Sequence, residues 1–104
     1  MSIYTDMKKV LLDNGWTKNS MTNEDNNYCL LGAYREVVLP DVNGDYPSAR
    51  RDLSELVDVT SERLSNNQRL SFVACIHIYN DRKDTTFEDV LSALEEAHSR
   101  KVSG

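Results

Sequence analysis

Eight residues decide the fold class of this chain: Phe72-Val73-Ala74-Cys75-Ile76-His77-Ile78-Tyr79. A short apolar run reads equally well as a buried strand or as a stretch of buried helix, because periodicity does not separate the two. A strand needs a partner, and no second strand-like run occurs in the 104 residues. The run is therefore assigned to a helix. The chain as a whole is then all-α, a compact single-domain bundle of about five helices with its core between roughly residues 3 and 98 and a short disordered tail.

The punctuation fits that assignment. Ile3, Met7, Val10 and Leu11 recur at helical spacing behind Ser2, a capping residue, and Gly15 suits a left-handed helix end. Trp16 then falls where a hydrophobic residue folds back onto the last turn, against Leu11. Thr22 is placed as the cap of a second helix, with Glu24 and Asp25 at its positive end and Tyr28, Leu31, Ala33, Tyr34, Val37 and Val38 wrapping most of its circumference. Leu31 and Ala33 are expected to be buried, and Pro40 ends the helix. Asp41-Val42-Asn43-Gly44-Asp45 is turn chemistry, Pro47 suits the start of a third helix, and Ala49, Leu53 and Leu56 form its buried stripe. Its continuation through Val57-Asp58-Val59-Thr60 is left open by the β-branched residues there. Ser65 with Gln68 opens the fourth helix, and Thr85 with Glu88 reads as the capping box of the fifth. Phe87, Val90, Leu91, Leu94 and His98 follow on one face.

Two places look specified by close packing. Gly32 lies within Tyr28-Cys29-Leu30-Leu31-Gly32-Ala33, a segment read as helical, where glycine costs about 1 kcal/mol relative to alanine. It suggests a face that another backbone approaches. Asn80-Asp81 ends the fourth helix, where two short polar side chains suit a clip: Asn80 donating to the last carbonyls of that helix, Asp81 accepting from the first amides of the next.

Composition narrows the function. Twelve basic against seventeen acidic residues give a net charge of −5 and a pI near 4.9. This balance opposes general nucleic-acid binding, which is driven by lysine and arginine on phosphate. There is no export signal at the N-terminus and no apolar stretch of membrane-spanning length, so a cytoplasmic setting is expected. In that setting Cys29 and Cys75 are expected to be reduced thiols packed as small apolar residues, without disulfide or metal.

The candidate site residues for a ligand or partner are Cys29, His77, Asn80 and Asp81; those with a structural role are Trp16, Gly32, Asn80, Asp81, Thr85 and Glu88. His77 and Asp81 stand one helical turn apart and can share a proton. Zinc sites show paired ligands at short spacing, and this chain has none. The loop at 41–45 lacks the glycine and glutamate positions of a calcium loop, and no phosphate-binding glycine motif is present. No catalytic residue, metal or cofactor is assigned.

An aromatic residue followed by Cys29 and Gly32-Ala33, then Asn80-Asp81, then Thr85 or Thr86 with Asp89-Val90-Leu91 and Ala97, resembles a domain-of-unknown-function family of small actinobacterial and actinobacteriophage proteins. The resemblance covers residues 5 to 97, with Tyr28 and Tyr79 standing where the family pattern usually has tryptophan. It implies a compact helical fold, a bacterial cytoplasm and a phage origin, and supplies no activity. The expected function is a small protein-interaction protein acting on a host or viral protein. One alternative is a small-molecule binder or enzyme with a pocket near Cys29, His77, Asn80 and Asp81. Another is a nucleic-acid-associated protein using Arg50, Arg51, Arg63 and Arg69.

Overall fold

In the computed structural model, residues 2–18, 27–38, 52–64 and 72–103 are described. Five helices lie among them: α1 (Ile3–Asn14), α2 (Leu30–Val38), α3 (Ser54–Leu64), α4 (Phe72–Asp81) and α5 (Phe87–Ser103). The fold is all-α, and the apolar run that decides it is α4. The capping signals at Thr22 and at Ser65 with Gln68, and the breaks at Pro40, 41–45 and Pro47, lie outside the described residues, as do Ala49 and Leu70.

In α1 the buried side chains are Tyr4, Met7 and Leu11, one face at spacings of three and four. Ser2 sits extended at its N-cap, but its hydroxyl makes no cap bond and goes instead to His98 Nδ1 on α5, at 2.6 Å. At the other end the Gly15 N–H donates to Leu11 O at 2.7 Å. Gly15 has φ 95° but ψ 165°, so the chain departs extended rather than turning through the left-handed cap that was expected. The extended exit meets the segment before α2 in a parallel bridge between Trp16 and Tyr28. There Tyr28 N–H donates to Gly15 O at 2.9 Å and Thr17 N–H to Tyr28 O at 3.0 Å.

That bridge moves the start of α2. Tyr28 and Cys29, expected inside the helix, precede it, because the Tyr28 backbone is spent on the bridge. Cys29 takes the N-cap position: its carbonyl accepts from Ala33 N–H at 2.8 Å and its Sγ from Gly32 N–H at 3.2 Å. The helix phase follows from that start. Leu30, Gly32, Ala33 and Tyr34 are buried, whereas Leu31, expected in the core, is only half-buried.

The helix α3 runs straight through Val57–Thr60. Thr60 sends its buried hydroxyl back to Leu56 O and Val57 O, at 2.9 and 3.1 Å, and so enters the core satisfied. α5 continues to Ser103, past the expected edge of the core.

The principal contacts form a closed circuit: α1 packs on α2, α2 on α4, α4 on α3, α3 on α5, and α5 back on α1. Inside it lie Tyr4, Met7 and Leu11; Leu30, Ala33 and Tyr34; Leu53, Leu56, Val57 and Val59; Ile76 and Tyr79; and Val90, Ala93, Leu94 and Ala97. On α5 Ala93 and Ala97 are fully buried, small side chains on the face that packs in the core. His98, expected on the core face, lies at its edge.

Candidate functional site

The C-terminal end of α4 holds a buried polar hub. Asn80 is fully buried, and its Oδ1 accepts from two donors: the Trp16 indole at 2.6 Å and the Leu30 N–H at 3.1 Å. Its Nδ2 donates to Thr17 O at 3.1 Å and to Asp81 Oδ1 at 2.9 Å. A carboxamide has two acceptor and two donor positions, and all four are occupied. Leu30 is the first residue of α2, so the amide that Asn80 satisfies is one of the orphan donors at that helix start. The partners expected for Asn80, the last carbonyls of α4, are replaced by the bridge segment and α2.

Around this hub the other sequence candidates take different positions. Asp81 Oδ2 lies 3.2 Å from His77 Nε2, one turn back, on a side chain about half exposed. Cys29 is buried, and desolvation pushes its thiol pKa up; the N–H groups of Gly32 and Leu31 pull the other way without overcoming it, and the Asp81 charge adds to the rise. A thiol in that setting stays protonated and is a poor nucleophile. Cys75 is a buried free thiol on α4. Gly32 is buried in the first turn of α2, its N–H held by the Cys29 sulfur.

Trp16, expected to fold back on Leu11, reaches across the circuit. Its ring stacks on Phe87 of α5 with centroids 5.9 Å apart and planes 11° from parallel, and the Lys18 ammonium stands 5.4 Å from its centroid. Lys18 also donates to Arg82 O at 2.7 Å and Lys83 O at 3.3 Å, tying the chain after α1 to the α4–α5 turn.

The cap of α5 is displaced by one residue from the expected one. Thr86 Oγ1 accepts from Asp89 N–H at 3.1 Å and Asp89 Oδ2 from Thr86 N–H at 3.0 Å, a reciprocal capping box. Thr85 is buried with its hydroxyl unpartnered, and Glu88 is exposed. The sequence reading names only Thr85 with Glu88 as the box; α5 starts instead from Thr86 with Asp89.

Tyrosine hydroxyls were the signal that sequence reading passed over. Tyr4 OH donates to Glu55 Oε1 at 2.8 Å and accepts from Leu56 N–H at 3.2 Å, so α1 caps the start of α3 with a phenol. Burial, then the Glu55 bond, push the Tyr4 pKa well above its ordinary value. Tyr34 OH donates to Asp52 Oδ2 at 3.0 Å. Tyr79 is buried, with two guanidinium groups near its ring, Arg63 at 5.9 Å and Arg82 at 5.3 Å from the centroid. Arg63 also donates to Tyr79 OH at 2.9 Å and to Asp89 O at 3.1 Å. Its guanidinium is thereby committed to the fold rather than offered to phosphate; Arg50, Arg51 and Arg69 lie outside the described residues.

Among the described residues no group of three histidine, cysteine, aspartate or glutamate side chains is placed to hold a metal ion. Nor is any helix among them long and apolar enough to cross a membrane. Cys29 and the buried Asn80 thus meet at the start of α2, where α4 packs on it, while the Thr86 box caps α5.

The chain belongs to DUF6197, a family of unknown function.

The DUF6197 match spans residues 2–100, nearly the whole chain, and so takes in all of α1 to α4 and most of α5. No curated protein and no solved structure matches the chain.

Proposed function

We propose that this DUF6197 protein is a phage-encoded, non-catalytic interaction protein that binds a basic surface of a host or viral protein in the bacterial cytoplasm. The bacterial and phage setting comes from the resemblance to small actinobacterial and actinobacteriophage proteins. The observation that carries the reading is how the charges are spent. Among the described residues several basic groups are spent on ion pairs within the chain: Lys8 pairs with Glu95 at 2.5 Å, Lys9 with Asp13 at 3.7 Å, and Arg100 with Glu62 at 2.7 Å and Glu96 at 2.9 Å, whereas exposed Arg35 and Lys83 enter none. Lys18 and Arg63 are held by the contacts already described. Exposed Glu36, Asp58, Asp84 and Glu88 enter no ion pair among the described residues. With a net charge of −5 the chain carries an acidic excess, and such a field steers and selects partners of opposite charge.

The test is affinity capture from a lysate of the bacterial host, followed by reconstitution from two purified proteins. Binding that weakens as salt rises from 50 to 300 mM, roughly tenfold or more, and weakens again on combined Glu36→Lys, Asp58→Lys and Glu88→Lys substitution, supports the reading. Salt-independent binding overturns the electrostatic basis. A small molecule turned over or retained in native mass spectrometry overturns the non-catalytic assignment.

A further inference from the structure

Between α1 and α5 lies a depression of about 160 Å³, open to solvent on one side and walled by Tyr4, Thr5, Lys8, Leu94, Glu95 and His98. Most of its wall is carbon, and Tyr4 and Leu94 are themselves buried core residues. Lys8 and Glu95 neutralise each other in the ion pair that joins the two helices, so the depression carries little net charge from them. His98 differs. Its Nδ1 is engaged by Ser2 Oγ at 2.6 Å, which fixes the ring and, among the described residues, leaves Nε2 as its nitrogen with hydrogen-bonding capacity to spare. The diversion of Ser2 from its usual capping role is what orients that ring.

We propose that this depression receives the phenol ring of a tyrosine presented by the protein partner, with the phenolic hydroxyl on His98 Nε2; the assignment rests on the interaction reading above. The volume suits one six-membered ring, since an apolar cavity of about 150 Å³ accepts benzene. A neutral ring matches walls whose two charges are already paired. A hydroxyl both donates and accepts, so it meets Nε2 in either imidazole tautomer. A free phenol in an open depression keeps one face in water, whereas a tyrosine side chain has that face covered by the partner's own surface. Tyrosine in a pocket is also a recurrent interface anchor, because it brings a large rigid area at low entropic cost.

The test is an NMR titration of the full chain with N-acetyltyrosinamide and, in parallel, N-acetylphenylalaninamide. The tyrosine amide is expected to shift Thr5, Leu94 and His98 resonances selectively, and to bind about fivefold tighter than the phenylalanine amide, the worth of one ordinary hydrogen bond. His98→Phe should bring the two amides to equal affinity, and His98→Gln should keep part of the preference. No selective shift in the wild-type chain, or equal binding of the two amides to it, overturns the site whatever the variants do. Selective binding that leaves a captured partner undisplaced overturns the tyrosine assignment while the interaction reading stands. Selective binding with no partner captured supports the site's ring chemistry and counts against the interaction reading instead.

Discussion

The side-chain oxygen of Asn80 accepts the backbone N–H of Leu30 at 3.1 Å, across fifty residues of chain. The same atom takes the Trp16 indole, and the amide nitrogen holds Thr17 O. One carboxamide thus joins the exit of α1, the start of α2 and the end of α4. Asn80→Ala leaves the Leu30 N–H, the Trp16 N–H and the Thr17 carbonyl without this partner, and a buried unsatisfied group costs about 1–3 kcal/mol. A loss of about 2–4 kcal/mol is expected after partial relaxation, read as a lower urea midpoint at unchanged slope. Asn80→Asp should be nearly as damaging, since it keeps the acceptor but loses the donor to Thr17. A wild-type midpoint for Asn80→Ala would refute the hub.

Gly15 is a second point of fine control. Its φ of 95° is unfavourable for any residue with a side chain, and a Cβ there would collide with the Asn27 carboxamide oxygen. Gly15→Ala is expected to cost at least about 1–2 kcal/mol, more than its gain in chain stiffness returns. Thermal melting checks it. An unchanged melting temperature would mean that the exit of α1 tolerates ordinary backbone angles.

Thr86 and Thr85 separate the true cap from its neighbour. Thr86→Ala removes the acceptor for Asp89 N–H and should cost about 1 kcal/mol. Glu88→Ala, on an exposed side chain outside the box, should fall within about 0.5 kcal/mol of wild type. The Asp89 carboxyl is held below its usual pKa, first by the Thr86 backbone N–H; desolvation, the next largest effect, opposes this, and the Thr86 hydroxyl and the Arg63 and Arg82 charges add to the lowering. A lowered folded-state pKa contributes stability above the unfolded-state value, and that contribution is lost as pH falls through the folded-state value. Stability measured from pH 6 downward should therefore fall less steeply in Asp89→Asn than in the wild type. Parallel pH profiles would contradict the assignment.

Cys29 tests burial directly. Its thiol is 1% exposed, caps α2 through the Gly32 N–H, and has its pKa pushed up by desolvation. Its labelling by a thiol reagent at pH 8 should follow unfolding, with the rate rising in step with the urea transition. Rapid modification in native buffer would show that the start of α2 opens locally.

Much of the fold is legible in the chain because helix signals are local. The spacing of Met7 and Leu11, the glycine after Asn14, and the absence of any strand to pair with Phe72–Tyr79 all operate within a few residues, and all lead to helix. What local signals leave degenerate is phase. Thr85-x-x-Glu88 and Thr86-x-x-Asp89 satisfy the same capping rule one residue apart, and only the surroundings of Asp89, near Arg63 and Arg82, distinguish them. Leu30 and Leu31 are equally apolar, and which enters the core depends on where α2 begins.

That start is set by Tyr28 pairing with the exit of α1, and by Asn80 meeting the first amide from α4. These are long-range hydrogen bonds, whose strength depends on the burial of groups far apart in sequence. Asn80-Asp81 was visible as a polar pair needing a reason, but its partners were not, because an asparagine in a sequence has no address. The tyrosine hydroxyls behave alike: Tyr4 is legible as an apolar ring and becomes the cap of α3 only when α1 lies beside Glu55 and Leu56. The sequence by itself determined five helices, an acidic balance and reduced thiols as the expectation. The tertiary structure decided helix phase, the occupancy of every Asn80 hydrogen-bond position and the placing of His98 beside an open depression, because each requires burial that no single segment supplies.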